Sequence, residues 1–300
     1  MKNVNFTKYK ALWLGLSLAI MGTAVAFIVI WGLKFGLDFT GGSLLEVNFA
    51  SSQPNVAQIQ DALKDNNLGS LVIQPSEGNS VILRFSNTDE ATHQAALDSL
   101  RGLEGVHGQL EEIKFDSIGP SIGQELRSKA FWIFILVLVI IIVYISFAFQ
   151  KVSKPVASWK YGIISIIALS HDMVVTIGVF ALLGHFYGVE VNSTFVVALL
   201  TVLGYSINDT IVVFDRVREN LPKSEFDFPT TVNISLNQTI WRSLNTTLTT
   251  LLALIAVFIF GGDSIKDFVL ALIVGIFSGA YSSIFVASPL LVYFEKWQRR

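Results

Sequence analysis

Six long apolar runs constrain this 300-residue chain more than anything else in it. They cover residues 11–33, 130–149, 161–184, 191–214, 243–262 and 268–294. Each reaches the ~20 residues that a helix needs to cross ~30 Å of hydrocarbon. A segment in lipid has to be helical, because no water is there to satisfy a free backbone N–H or C=O. Bulk composition agrees: 52% of residues are hydrophobic and 15% charged, against about 25% charged in soluble domains. The first run outlasts the ~7–15 apolar residues of a signal peptide, and no small-residue cleavage site follows it. It is read as an uncleaved first helix.

Lysine and arginine set the expected orientation, since short cytoplasmic loops collect them. Lys2, Lys8 and Lys10 precede the first run; Lys151, Lys154 and Lys160 lie between the second and third; Arg216, Arg218, Lys223 and Arg242 lie between the fourth and fifth; Lys296, Arg299 and Arg300 end the chain. The short opposite loops hold only Lys266. Both termini are therefore placed in the cytoplasm, and the long loop after the first run on the far side.

That loop, about residues 34–129, is too long and too regularly patterned for a plain connector. Strands are predicted at 44–49, 71–74, 81–85 and 109–118, and helices at 55–66 and 89–103, the latter with inward spacing at Ala91, Ala95 and Leu97. The order βαββαβ predicts a small ferredoxin-like α+β module. Pro120 then opens a helix toward the second span. Three regions result: 1–33, cytoplasmic N-terminus and first span; 34–129, external domain and linker; 130–300, spans two to six and a cytoplasmic C-terminus.

Little in this chain suggests enzyme chemistry. It has no cysteine, and its four histidines are scattered, so neither a thiolate nor a metal centre is expected, and no cofactor. His93 and His107 read as ordinary surface groups. A net charge of −2 offers no surface for nucleic acid. The external module fits protein binding.

The informative residues are the polar ones inside the spans: His171 and Asp172 in the third, Asn208 and Asp209 in the fourth. A carboxylate at bilayer depth costs about 2.5–3.5 kcal/mol on insertion scales and faces protein or a water path. Thr194, Thr201, Tyr205 and Asn208 recur near helical spacing, with Asp209 at the margin of that stripe. The fifth span opens with Arg242, within expected reach of Asp209, and continues through Asn245, Thr246, Thr247, Thr249 and Thr250. These hydroxyls also suit interhelical hydrogen bonding, and Ala271, Gly275, Gly279 and Ser283 form a small-residue ladder for close packing against this chain or a partner.

Several stretches together resemble the SecF family. They are Leu37-Asp38-Phe39-Thr40-Gly41-Gly42, Ile118-Gly119-Pro120-Ser121-Ile122-Gly123, Ser170-His171-Asp172, Gly204-Tyr205-Ser206-Ile207-Asn208-Asp209-Thr210, Phe214-Asp215-Arg216-Val217-Arg218-Glu219-Asn220, and Ser235-Leu236-Asn237-Gln238-Thr239 with Arg242-Ser243. The resemblance implies an RND-type half-transporter in the bacterial inner membrane that pairs with a separate SecD beside the SecYEG channel, with YajC and YidC as further neighbours. It would use proton flow to draw an unfolded polypeptide outward. Its implied coupling residues are Asp209 and Arg242; Asp172 and Asn208 join them from the reading of the spans. A carboxylate serves a proton or a sodium ion equally well. Two other readings remain open: an RND-like exporter of lipid or small molecules, and an intramembrane protease using Asp172 and Asp209 as an acid/base dyad.

Overall fold

The computed structural model describes residues 5–50, 53–76, 78–103, 110–149 and 156–298. Lys2, Lys151, Lys154, His107, Gln109, Arg299 and Arg300, all used in the sequence reading, lie outside them. In chain order the elements are α1 (Lys10–Trp31), α2 (Leu37–Thr40), β1 (Gly42–Phe49), α3 (Val56–Leu63), β2 (Leu71–Pro75), β3 (Ser80–Phe85), α4 (Glu90–Arg101) and β4 (Leu110–Ile118). They continue with α5 (Pro120–Ala148), α6 (Ser158–Tyr187), α7 (Ser193–Asn220), α8 (Phe228–Phe260), α9 (Asp263–Ser282) and α10 (Ser288–Gln298). The chain divides into two units, Met1–Lys34 with Phe131–Arg300, and Phe35–Ala130.

Six helices are long and apolar enough to cross a membrane. Several outrun their apolar windows. α8 starts fifteen residues before its predicted span, through a stretch rich in Ser, Thr and Asn. Those side chains stay compatible with a helix by bonding back to it: Ser235 donates to the Thr231 carbonyl at 2.8 Å and Thr239 to the Ser235 carbonyl at 3.0 Å. Asn192 caps α7, its side chain accepting from the Phe195 N–H at 3.0 Å. Residues Ser283–Ala287, between α9 and α10, form a π turn, and Ser288 donates to the Ser283 carbonyl five residues back. Pro289, one residue on, has no N–H for a regular ladder, which explains the irregularity there. At the α10 end of the unit, Phe149, Tyr161, Phe214, Val217, Phe228, Val232 and Leu236 form a buried core.

In the other unit, four strands form an antiparallel sheet in the order β2-β3-β1-β4, with a register shift between Glu46 and Val47. Leu45, Val47 and Phe49 of β1 and Val81, Leu83 and Phe85 of β3 pack with Ile59 and Leu63 of α3 and Ala96, Leu97 and Leu100 of α4. Asn55 and Gln58 close a capping box that starts α3. The observed unit is this small sheet with its helices; the ferredoxin-like assignment goes no further than the order of elements.

Two expectations are corrected here. Ala91 and Ala95 are exposed, and α4 instead buries Thr92, His93, Ala96, Leu97 and Leu100. The larger Leu97 and Leu100, three residues apart, set the inward face, which rotates the two alanines to solvent. His93 is consequently not a surface group: it is 4% exposed, its ring stacks on Phe115 at 3.7 Å, and Nδ1 and Nε2 lie 3.0 and 3.3 Å from Glu90 and Glu112.

Candidate functional site

α7 buries one face made of Val202, Ser206, Asp209, Thr210 and Val213, among others. Asp209 is 3% exposed. Ser243 of α8 donates to Oδ1 at 3.2 Å and Thr247 of α8 to Oδ2 at 3.4 Å. The acid therefore faces protein hydroxyls, which lowers the cost of its charge without cancelling it.

Asp172 of α6 is fully buried and far better supplied. Ser278 donates to Oδ1 at 2.7 Å, Ser206 and Ser282 to Oδ2 at 2.6 and 2.7 Å, and His171 Nδ1 lies 3.2 Å from Oδ1. Asp172 thus gathers three serine hydroxyls from two other helices. His171 adds a fourth contact, as donor in the tautomer that carries the proton on Nδ1. The two acids make no hydrogen bond to each other, and each is occupied by its own hydroxyls. A diaspartyl dyad needs two carboxyl groups sharing one proton.

Arg242 departs from expectation. It forms no ion pair with Asp209; it is exposed and lines a cleft of about 290 Å³ with Asp215, Arg216, Glu219, Gln238 and Thr239. It directly precedes Ser243 on α8, and one residue is a turn of about 100° around a helix, so the two side chains cannot both point at Asp209. Asn208 is likewise exposed, on the outer stripe with Thr194 and Thr201. Tyr205 beside them donates to the Thr246 carbonyl at 3.1 Å and shares a hydrogen bond with Thr250 at 3.0 Å. The polar stripe and the buried acid thus occupy different faces of α7.

The small-residue ladder packs within the chain. A Cβ on Gly275 would stand 2.3 Å from Val202 Cγ2, and one on Gly279 would stand 2.7 Å from Ser206 Cβ. Thr210 and Ser283 share a hydrogen bond at 2.9 Å. The pairs 202/275, 206/279 and 210/283 advance together by four, so α7 and α9 run parallel and in register. Ser278 and Ser282 were missed in the sequence reading, although they sit one residue before the ladder positions Gly279 and Ser283 with the same spacing.

The motif residues Asp38, Phe39, Thr40, Gly41, Gly42, Gly119 and Pro120 lie in the α+β unit, where the two motifs meet backbone to backbone. Gly41 has φ +70° and Gly42 φ +112°, both in the region that favours glycine. A Cβ on Gly41 would lie 2.8 Å from Pro120 Cα, and one on Gly42 2.7 Å from the Phe85 carbonyl oxygen. Thr40 donates back to the Gly36 carbonyl, and the Gly119 carbonyl accepts from the N–H groups of Ile122 and Gly123 as α5 begins. Phe39 packs on Phe35 at 5.9 Å. These residues form a junction; among the described residues no group of acidic or histidine side chains is arranged to hold a metal.

The chain is similar to known proteins along its whole length. The profile of the protein export membrane protein SecD/SecF C-terminal region matches residues 99–297, and that of the SecD/SecF GG motif matches residues 26–53. Protein translocase subunit SecF of Thermobaculum terrenum is 40% identical, covering 97% of this chain and 94% of its own. The Haemophilus influenzae subunit of the same name is 39% identical, covering 94% and 83%. The crystal structure of SecDF from Thermus thermophilus superposes with a TM-score of 0.81 at 32% identity, and SecDF in its super-membrane-facing form with 0.70 at 30%. Both superpositions cover all of this chain, which spans 39% and 40% of the two SecDF chains.

Proposed function

Because this chain belongs to the SecD/SecF family of protein export membrane proteins, we propose that it acts as the SecF half of a complex that couples an ion gradient to polypeptide export. The coupling acid is Asp209. The observation that carries this reading is its place: buried within a span-length helix, with hydroxyls of a second helix at 3.2 and 3.4 Å and, among the described residues, no cation paired with it. Such a group gains and loses a proton with a large change in its solvation cost, and its attraction for neighbouring donors changes with it.

The outer faces of α7 and α8 fit a SecD half. Thr201, Asn208, Arg242, Asn245, Thr246 and Thr249 are exposed there, yet polar side chains within membrane spans ordinarily face protein or water. A partner helix bearing its own polar groups covers them, and Arg242, in its cleft beside Asp215 and Glu219, meets that partner. The α+β unit faces the periplasm and contacts the emerging chain, both termini stay in the cytoplasm, and SecYEG, YajC and YidC complete the assembly in the inner membrane.

The test is export into inner-membrane vesicles carrying the whole complex, with and without a proton gradient. Asp209→Asn abolishes the gradient-dependent increment and leaves the gradient-independent part unchanged. Equal stimulation in wild type and variant rejects the assignment.

A further inference from the structure

Helices α8 and α9 both meet α7 near Asp209, and they meet it in different ways. Against α9 the contact is close and bonded. Gly275 and Gly279 admit Val202 and Ser206 where any Cβ would clash, Thr210 and Ser283 share a hydrogen bond, and Asp172 draws Ser206 of α7 together with Ser278 and Ser282 of α9 at 2.6–2.7 Å. Against α8 the contact changes along its length. Phe228, Thr231, Val232, Ser235, Leu236, Thr239, Ser243 and Thr247 form a buried stripe, and residues 248–260 contain no buried side chain at all. The stripe ends at Ser243 and Thr247, the two residues that donate to Asp209. Asp209 thus stands where the buried half of α8 gives way to a half without buried side chains, tied to α7 through the hydrogen bond that Tyr205 shares with Thr250.

We infer that Asp172 is a positioning residue that clamps α6, α7 and α9 into one rigid block, and that proton uptake by Asp209 tilts the far half of α8 against that block. This rests on the coupling role proposed for Asp209. The step is a proton transfer: an O–H bond forms on a carboxyl oxygen of Asp209 on one side of the membrane and breaks on the other, with the gradient supplying the proton. Neutral Asp209 holds Ser243 and Thr247 less strongly than the anion does, because hydrogen bonds to an ionised acceptor are roughly twice as strong. Asp172 is held differently: three serine hydroxyls donate to it, and the groups facing it are His171 from α6 and Ser206, Ser278 and Ser282 from α7 and α9. His171 in turn stacks on Tyr281 of α9 at 5.9 Å, and among the described residues no lysine or arginine forms an ion pair with either acid.

The chain has no cysteine, so introduced ones are the labelled sites within it. Spin labels at Val197 of α7 and Ile255 of α8, both exposed, follow the far half of α8; labels at Val197 and at exposed Phe277 of α9 follow the block. In the assembled complex, Asp209→Asn, a mimic of the protonated acid, shifts the 197–255 distance and leaves 197–277 unchanged. An equal shift in both pairs, or none in either, overturns the inference. Asp172→Asn broadens the 197–277 distribution and lowers gradient-dependent export about tenfold, the factor that about 1.4 kcal/mol makes in an equilibrium. A disulfide between Thr210→Cys and Ser283→Cys, whose hydroxyls meet at 2.9 Å, restores export in that background. A covalent clamp replaces a positioning group and cannot replace a proton carrier, so failure of rescue overturns the role given to Asp172. Should Asp172→Asn not accumulate, Ser278→Ala with Ser282→Ala carries the same rescue test. Normal gradient stimulation in Asp209→Asn would instead reject the proposed function itself.

Discussion

Gly275→Ala probes the α7–α9 contact most directly. The added Cβ would stand 2.3 Å from Val202 Cγ2, 2.7 Å from Cγ1 and 3.0 Å from Cβ. Relaxed carbon contacts lie near ~3.5 Å, so the helices must part by about 1.2 Å unless Val202 yields. Val202 is fully buried and β-branched, with one strongly preferred rotamer in a helix. Parting by that amount would carry the Thr210 and Ser283 hydroxyls from 2.9 Å toward ~4.1 Å, beyond hydrogen-bond reach, and Asp172 of α6 could not hold Ser206 of α7 together with Ser278 and Ser282 of α9. Overpacking costs about 1–3 kcal/mol, and a lost bond to a charged group about 1.5–3 kcal/mol. The structure relieves one at the expense of the other, so the expected loss is about 1–3 kcal/mol. Unfolding of the purified chain in mixed micelles against rising SDS, followed by tryptophan fluorescence, measures it. The same substitution in a Val202→Ala background removes both closest contacts and leaves 3.0 Å as the nearest, so the penalty falls by at least half. An equal penalty in both backgrounds refutes the packing argument.

Gly42→Ala places a Cβ 2.7 Å from the Phe85 carbonyl at φ +112° and destabilises the α+β unit by about 1–3 kcal/mol or more, read as faster amide exchange in β1 and β3 of the whole chain. Asp89 caps α4, and the Thr92 N–H donating to it at 2.7 Å holds its carboxyl below the usual carboxylate range. A lowered folded value means stability present above the unfolded value, about pH 4, and lost as pH falls through the folded one. Asp89→Asn keeps the cap and flattens this acid limb, whereas Asp89→Ala loses protection of residues 90–101 at neutral pH; both are checked by amide exchange between pH 2 and 7.

Much of the membrane unit was legible because lipid imposes simple rules. A span needs about 20 apolar residues, and its backbone bonds must close internally, so the number and order of the six helices follow from composition along the chain. The cost of a charge in hydrocarbon singled out Asp172 and Asp209 in the same way. In the other unit, period-two and period-3.6 patterns announced the element order, whereas the left-handed backbone at Gly41 and Gly42 emerged only with the structure.

What tertiary structure alone decided is orientation about helix axes. Each residue turns a helix by about 100°, so the difference between Arg242 and Ser243, or between Ala91 and Thr92, is the difference between facing outward and facing a neighbour. Local pattern sets that angle only where apolar contrast is strong. In α4 the contrast was weak, and His93 went unseen in the core; in α9, where nearly every residue is apolar or small, nothing local distinguished Ser278 and Ser282 from packing residues. The hydroxyls that hold Asp172 and Asp209 come from helices 34 to 110 residues away in sequence, and their meeting depends on which faces pack, a property of the assembled helices rather than of any one.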